Sequence, residues 1–299
     1  MKKLLFIFNP CAGRGDVRKH LAQIVDIFTK ADYETVVYPT QCRGDATEKV
    51  IRDGCRFDRI IAAGGDGMLH ELINGIEQLG CVVEVGYIPM GTANDFAVSN
   101  HIPRNVLDAA RLAVSDHVGT RDIGNFNGKD FSYVAAFGIG TNISYDTGQR
   151  LKNHFGMLAY RLSAIKKLDL PHMDKFCRTL TITAGGQTIT DRFLYGSVSN
   201  SHSIAGMKYL AAKDVQLDNG LLDGLFIRKP KNPNQLRKLI GRLLAKDFNS
   251  EMFTFLRAAE FEIEMESAPW TLDGENGGEH EKIHIFAKKQ ALHIALPEE

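Results

Sequence analysis

The chain lacks an excess of charge of either sign: its 299 residues carry 36 Lys and Arg against 36 Asp and Glu. A nucleic-acid partner usually leaves a basic surplus, so the composition points to no nucleic acid. A local basic face would still suit an anionic membrane. Long apolar runs are missing too. The opening Lys2-Lys3-Leu4-Leu5-Phe6-Ile7-Phe8 looks superficially like a signal peptide, but it is too short and Asn9-Pro10 ends it. No stretch approaches the roughly 20 residues that a transmembrane helix needs. Anything held in a membrane would have to be reached from the water side. The expected location is cytoplasmic, with peripheral contact at the inner face of the membrane. Cysteine is sparse: Cys11, Cys42, Cys55, Cys81 and Cys177 include no CxxC pair. These are expected to be buried or free thiols in a reducing cytosol. A zinc site would need ligands in closer groups. Internal repeats and low-complexity tracts are absent as well.

What is present is a rhythm that changes once. Apolar runs Leu4–Phe8, Thr35–Tyr38, Arg59–Ala63 and Val83–Ile88 read as strands. Between and after them lie helical patterns: Leu21, Ile24, Val25 and Phe28 on one face, a helix from about Leu69 to Leu79, and another over Val106–Val114. Asp45 with Glu48 three residues on suggests an N-cap, with a helix starting at Ala46. This β-α-β-α order implies a parallel sheet covered by helices on both faces. Near Arg121-Asp122-Ile123-Gly124 strands take over: Phe131–Phe137, Arg178–Thr183, Phe193–Ser199, Gly224–Ile227, Glu260–Met265, Ile283–Phe286 and Ala291–Ile294. Several alternate apolar and polar residues, as half-buried antiparallel strands do. Helical patterns interrupt them over Gln149–Lys167 and Pro233–Ala245. The expected fold class is α/β + β, with domains over residues 1–122 and 123–299. The last strand could pack back on the first domain.

Three glycine-bearing turns follow strands of the first part. The strongest is Gly64-Gly65-Asp66-Gly67-Met68-Leu69-His70-Glu71, which leaves a strand and opens a helix. Glycines let the backbone bring N–H groups close to a phosphate, and the helix N-terminus adds partial positive charge. Asp66 would oppose an anion unless a metal or its water shell intervened, which suggests phosphate with Mg²⁺. A plain glycine turn is the alternative. The second turn is Pro89-Met90-Gly91-Thr92-Ala93-Asn94-Asp95-Phe96-Ala97, and the third is Asn9-Pro10-Cys11-Ala12-Gly13-Arg14-Gly15. All three could share the carboxyl edge of one sheet, where ligands of such sheets bind.

In order along the chain, these turns and Thr40 ahead of Gly44-Asp45-Ala46-Thr47-Glu48 resemble the diacylglycerol kinase and sphingosine kinase superfamily. The likeness continues through Asp218-Asn219-Gly220-Leu221-Leu222-Asp223 and Asp273-Gly274-Glu275-Asn276-Gly277-Gly278, so it spans nearly the whole chain. It is nearest to the bacterial, YegS-like diacylglycerol kinases. The resemblance implies a Rossmann-like nucleotide domain followed by a mainly antiparallel β-sandwich that takes the lipid. It implies an ATP- and Mg²⁺-dependent kinase acting on a lipid hydroxyl, foremost that of diacylglycerol, at a membrane surface, with a homodimer as one arrangement. Asn9, Pro10, Gly13, Thr40, the loop from Gly64 to His70, Gly91, Thr92 and Asn94 would line the ATP site. Asp66 and Asp95 would join a carboxylate–water–magnesium network. Asp273 would be the general base, with Glu275 as the second choice. A structural Mg²⁺ would be held by the carbonyls of Gln216 and Leu221 and the side chain of Asn219. Three residues depart from the pattern. Met68 and His70 stand where bacterial members commonly have Thr and Asn, and Asn219 replaces a common Asp.

Segment Gln235–Asp247 sets Leu236, Leu239, Ile240, Leu243 and Leu244 among Arg237, Lys238, Arg242 and Lys246, after Arg228-Lys229-Pro230-Lys231. It reads as a basic amphipathic helix on a bilayer or as a core-facing helix with a solvated face. The Arg150–Lys167 stretch is similar. His202 is read as a surface-loop residue and Trp270 as a packing residue. Alternative functions are a kinase for phosphatidylglycerol, a sphingoid base or NAD, and a non-catalytic lipid- or nucleotide-binding regulator.

Overall fold

The computed structural model describes residues 1–12, 16–139, 174–204, 207–208, 216–245 and 247–298. Its amino-terminal half is built on β1 (Lys2–Phe8), β2 (Tyr33–Pro39), β3 (Arg59–Gly64) and β4 (Glu84–Pro89). They lie parallel in the order β2-β1-β3-β4. The crossovers run through α1 (Asp16–Lys30), α2 (Asp45–Asp53) and α3 (Asp66–Ile76); α4 (Asp95–Ser99) and α5 (Val106–Ala113) follow β4. The runs of β1, β3 and β4 are apolar and buried almost throughout because both faces are covered, whereas the edge strand β2 is largely exposed. Leu5, Ile7, Ile60, Ala62 and Val85 meet Ala46 and Val50 of α2 and Leu69, Leu72 and Ile73 of α3. Their neighbours Leu4, Phe6, Phe8, Ile61 and Ala63 meet Val17, Ile24 and Phe28 of α1 and Ala109, Ala110 and Ala113 of α5. The period of two in the strands thus sorts alternate residues into two cores.

The carboxyl-terminal half holds β5 (Val118–Phe126), β6 (Lys129–Phe131), β7 (Val134–Gly138), β8 (Arg178–Ala184), β9 (Gln187–Ser199), β10 (Ser203–Ile204) and β11 (Met207–Lys208). Then come β12 (Leu222–Arg228), α6 (Pro233–Ala245), β13 (Phe253–Ala258), β14 (Glu260–Leu272) and β15 (Glu275–Ala295). Their mutual pairings are antiparallel. The layers are not separate sheets. β9 pairs with β8 up to Phe193 and with β7 over Tyr195–Ser199, while β14 pairs with β8 over Phe261–Met265 and with β7 over Trp270–Leu272. The two long strands therefore pass from one layer to the other and enclose a core of Phe126, Phe137, Phe193, Phe226, Phe261 and Trp270.

The two halves share hydrogen bonds. Ile294 of β15 pairs in parallel with Val85 of β4, and β15 also runs along β5. The expected division between residues 122 and 123 falls inside β5, which leads from one half into the other.

Two local expectations are corrected. Cys55 and Cys81 form a disulfide, with Cα atoms 6.0 Å apart, so these two are not free thiols. Helix packing brings them together: α2 and α3 lie side by side, and each cysteine follows the carboxyl end of one of them. Cys11 and Cys42 are exposed free thiols and Cys177 is a buried one. Asp45 does not cap α2. Gly44 does, at φ +85°, while the Asp45 carboxylate accepts from the Tyr38 hydroxyl (2.6 Å) and the Gln41 N–H (2.7 Å). The α2 N-terminus is served instead by Glu71 of α3, whose carboxylate accepts from Gly44 N–H (2.9 Å) and Ala46 N–H (3.3 Å).

Candidate functional site

A cleft of about 590 Å³ opens at the carboxyl ends of β1, β2 and β3, lined by Asn9, Pro10, Thr40, Gly65, Gly67, Met68, His70 and, from the other half, Glu275. It is large enough for a nucleotide-sized ligand. Its floor depends on close backbone approach. A Cβ on Gly91 would come within 2.8 Å of the Gly65 Cα and 2.6 Å of the Asn94 Oδ1. The β3–α3 and β4–α4 turns therefore touch through glycine. Asn94 locks the second turn: its side chain accepts from the Gly91 N–H (2.8 Å) and donates to the Gly91 carbonyl (2.8 Å), with its own backbone at φ +51°.

Asp66 opens α3 and sits where the two turns meet. One oxygen, Oδ2, accepts from the Asn94 N–H at 3.0 Å. The other, Oδ1, is shut off from solvent and has no partner among the described residues. Burial pushes the Asp66 carboxyl up to about 7, and the charges of Asp95 and Asp273 push the same way. Asp95 is itself buried. An under-served carboxylate beside further carboxylates, at a helix N-terminus that attracts anions, is a place where a divalent cation with phosphate would satisfy both partners. Mg²⁺ fits these residues on that ground.

Asp273 occupies the tight turn between β14 and β15, where Asp273 (φ +52°) and Gly274 (φ +83°) both take left-handed conformations. The hairpin turn and the candidate acid are thus the same residues. The Asp273 carboxylate accepts from the N–H groups of Ser132 (2.6 Å), Tyr133 (2.9 Å) and Val134 (3.1 Å) and from the Ser132 hydroxyl (2.9 Å). A further contact joins its Oδ2 to His70 Nδ1 at 3.1 Å. Burial alone would lower the His70 imidazole; the hydrogen bond to Asp273 and the charges of Asp273, Glu275 and Glu71 outweigh it and raise it. Glu275, two residues on, pairs with Arg43 from the β2–α2 loop. Its Oε1 stands 3.2 Å from where a Cβ of Gly67 would lie, so the β14–β15 turn abuts the start of α3.

Most of the expected site residues converge, and some do not. Asn9 holds the first loop by accepting from the Cys11 N–H (2.8 Å), and Thr40 extends the β1–β2 ladder by donating its N–H to the Phe8 carbonyl (2.9 Å). Gly64 closes β3, and the Cβ of Met68 is 2.5 Å from where its own Cβ would be. Leu69 points away from the cleft into the core, because the helical turn that aims His70 outward aims its predecessor inward. Gly91, Thr92 and Asn94 border the turn beneath the cleft but do not line it. Gly13 and the Arg150–Lys167 stretch lie outside the described residues. Cys11, Gln41, Cys42, Arg43 and Glu71 also line the cleft and were not anticipated. Adjacency to Asn9, Thr40 and His70 was their only signal.

The turn expected to hold a structural Mg²⁺ is braced by hydrogen bonds of its own. Asn219 Oδ1 accepts from the Leu221 N–H (2.9 Å), and Asp122 accepts from Gly220 N–H (2.5 Å) and Gln290 N–H (2.7 Å). Gln216 is exposed beside it. Among the described residues no group of three or more His, Cys, Asp or Glu has metal-binding geometry. Helix α6 turns its apolar face inward: Leu239 is buried, and Leu236 and Leu243 pack with Met252 and Phe253. That face is therefore not free to enter a bilayer. His202 donates its N–H to the Ser99 hydroxyl (3.2 Å), away from the cleft lining. Trp270 packs between Phe137 and Phe126, with ring centroids at 4.9 and 5.1 Å.

The family model described as the diacylglycerol kinase catalytic domain matches residues 3–126. Along its whole length the chain is 33% identical to a diacylglycerol kinase of Bacillus subtilis (strain 168), of which it covers 98%. It is 30% identical to a diacylglycerol kinase of Staphylococcus carnosus (strain TM300), covering 96% of that protein. A solved diacylglycerol kinase structure from Bacillus anthracis str. Sterne matches 99% of this chain and 97% of its own, with a TM-score of 0.83 at 25% identity. With turns suited to phosphate at the edge of a parallel sheet and full-length kinase relatives, the chain belongs to the diacylglycerol kinase family of ATP-dependent phosphotransferases with an alcohol acceptor.

Proposed function

We propose that this chain transfers the γ-phosphoryl group of magnesium-bound ATP to the hydroxyl of diacylglycerol, giving phosphatidic acid. The observation that carries this reading is the buried oxygen of Asp66 at the N-terminus of α3, which has no partner among the described residues. Phosphoryl transfer needs positioning and charge neutralisation more than covalent chemistry. The amino-terminal half would supply a nucleotide site of the Rossmann-like kind, with phosphates on the N–H groups of the Gly64–Gly67 turn and the nucleotide against Asn9 and Thr40. Asp66, with Asp95 behind it, would hold Mg²⁺ through its water shell. Magnesium, when bound, offsets the charge that develops on the phosphates. The β14–β15 turn would bring its polar groups to the acceptor hydroxyl. The lipid would be met at an anionic membrane surface, for which Arg237 and Lys238 are exposed on α6. No described helix is long and apolar enough to cross a membrane.

Incubation with γ-labelled ATP, Mg²⁺ and mixed micelles of single lipids, with NAD in parallel, tests the proposal. Labelled phosphatidic acid is the expected product. Label on a sphingoid base, phosphatidylglycerol or NAD would move the acceptor, and no label with ATP still bound would contradict a kinase.

A further inference from the structure

Two of the five cysteines stand in the cleft that would hold the nucleotide. Cys11 follows β1 and Cys42 follows β2; both line the cleft, and both are exposed free thiols. The other three are not open to a reagent in the same way. Cys177 is buried, and Cys55 and Cys81 are already joined to each other. Exposed thiols in polar surroundings undergo exchange, whereas buried ones are inert.

The pairing of β1 with β2 brings both thiols to one place. Phe8 and Pro39 are partners at the end of that parallel ladder, and the Thr40 N–H extends it to the Phe8 carbonyl (2.9 Å). Cys11 and Cys42 each lie three residues beyond one of these partners, so they enter the same cavity from neighbouring loops. Both loops are held by side chains. The Cys11 N–H donates to Asn9 Oδ1 (2.8 Å). On one side of Cys42 the Gln41 N–H donates to Asp45 (2.7 Å), and on the other Arg43 pairs with Glu275 from the carboxyl-terminal half. A group added to either sulfur would stand among Asn9, Pro10, Thr40 and Gly65, which line the same cleft.

We propose that Cys11 and Cys42 form a thiol-modification site, which takes a low-molecular-weight disulfide by exchange and then excludes nucleotide from the cleft. This rests on the nucleotide site of the kinase reading above. In the step, the cysteine thiolate attacks one sulfur of the small disulfide. A bond forms between the two sulfurs as the small disulfide's own S–S bond breaks. The departing thiolate keeps that electron pair and takes up the proton that the cysteine gave to solvent. The small disulfide is the oxidant, and a dithiol reverses the exchange. The adduct fills space that the nucleotide needs, so modification and nucleotide exclude each other.

The test treats the full chain with glutathione disulfide, with and without Mg²⁺ and ADP. It compares wild type with Cys11→Ser, Cys42→Ser and the double variant, each judged against its own untreated sample. Intact mass and peptide mapping should find adducts at Cys11 and Cys42 of wild type, one on each single variant and none on the double variant. Cys177 should react only after unfolding. Saturating ADP should slow modification about tenfold or more. Modified wild type should lose the rise in Tm that Mg²⁺ and ADP give, and dithiothreitol should restore it. The treated double variant should keep the rise it shows untreated. Adducts that spare Cys11 and Cys42, a rate that ADP leaves unchanged, or a full ADP-induced rise in the modified protein would overturn the proposal. An untreated wild type whose Tm does not respond to ADP would contradict the kinase reading instead. Adduct mapping without nucleotide would then still decide the thiol site, with adducts at Cys11 and Cys42 supporting it and a clean cleft overturning it.

Discussion

Asp66 and Asp273 are both acids in tight turns beside the same cleft, yet their surroundings are opposite. Asp66 receives one backbone N–H, keeps a buried oxygen without a partner among the described residues and is pushed up to about 7 by burial and by the neighbouring acids. Asp273 is wrapped by donors from Ser132, Tyr133, Val134 and His70. A carboxylate left short of donors is a site waiting for a cation, whereas one with every lone pair engaged is an anchor. The first belongs to the parallel half, where glycine lets the β3–α3 and β4–α4 turns approach closely. The second ties the β14–β15 turn to β7 and to α3, and so sets how the halves meet.

Replacing each acid should separate these roles. Asp273→Ala would leave the buried N–H groups of Ser132, Tyr133 and Val134 unpaired, and the loss of stability should be about 3 kcal/mol or more by urea unfolding. Asp66→Asn keeps an acceptor for Asn94 and removes a repelled charge, so without Mg²⁺ at pH 8 it should melt at the wild-type temperature or above. A destabilised Asp66→Asn with an unharmed Asp273→Ala would invert the comparison.

A second difference lies in pH and metal. The folded state holds the Asp66 proton up to about 7, while an unfolded Asp releases it near its ordinary value of 3.8. Between those values the folded chain binds more protons, so this contribution is complete at the acid end and is lost as pH rises through about 7. Mg²⁺ binds the ionised form, so Mg²⁺ with ADP should raise the Tm more at pH 8 than at pH 6. The gain should differ by about 5 °C by calorimetry, and an equal gain at both pH values would detach Asp66 from the metal.

A smaller effect should come from Gly91→Ala. Its methyl would press on Gly65 and Asn94. Spreading the two turns is expected to raise the KM for ATP about tenfold, at a stability cost of about 1–3 kcal/mol. Unchanged ATP kinetics would show that the turns need not touch.

How much of this could be read in advance depended on how far each partner lies along the chain. The parallel strands were legible because Leu4–Phe8 and Arg59–Ala63 carry their burial in consecutive residues. The turn at Gly64–Gly67 was legible because three glycines among four consecutive residues mark a tight turn. Glu71 was not, since the Gly44 N–H it accepts from, at the N-cap of α2, lies 27 residues earlier. Arg43 meets Glu275 across 232 residues, and Cys55 meets Cys81 only because α2 packs on α3. The amphipathic pattern of α6 was visible, but only packing of Leu239 against its neighbours decides which surface the face covers. The Asn219 oxygen also accepts from the Leu221 N–H, a bond within the turn that spacing alone does not show. Local rules find turns and strand faces; tertiary contacts assign side chains to them.

The most direct measurement is transfer of label from γ-labelled ATP to diacylglycerol in mixed micelles, with Mg²⁺, by wild type and Asp66→Asn in parallel. Labelled phosphatidic acid from wild type and a loss of about 10³-fold or more in a folded Asp66→Asn enzyme is the predicted result. A wild-type protein that labels no lipid, or an Asp66→Asn enzyme of undiminished rate, would contradict it.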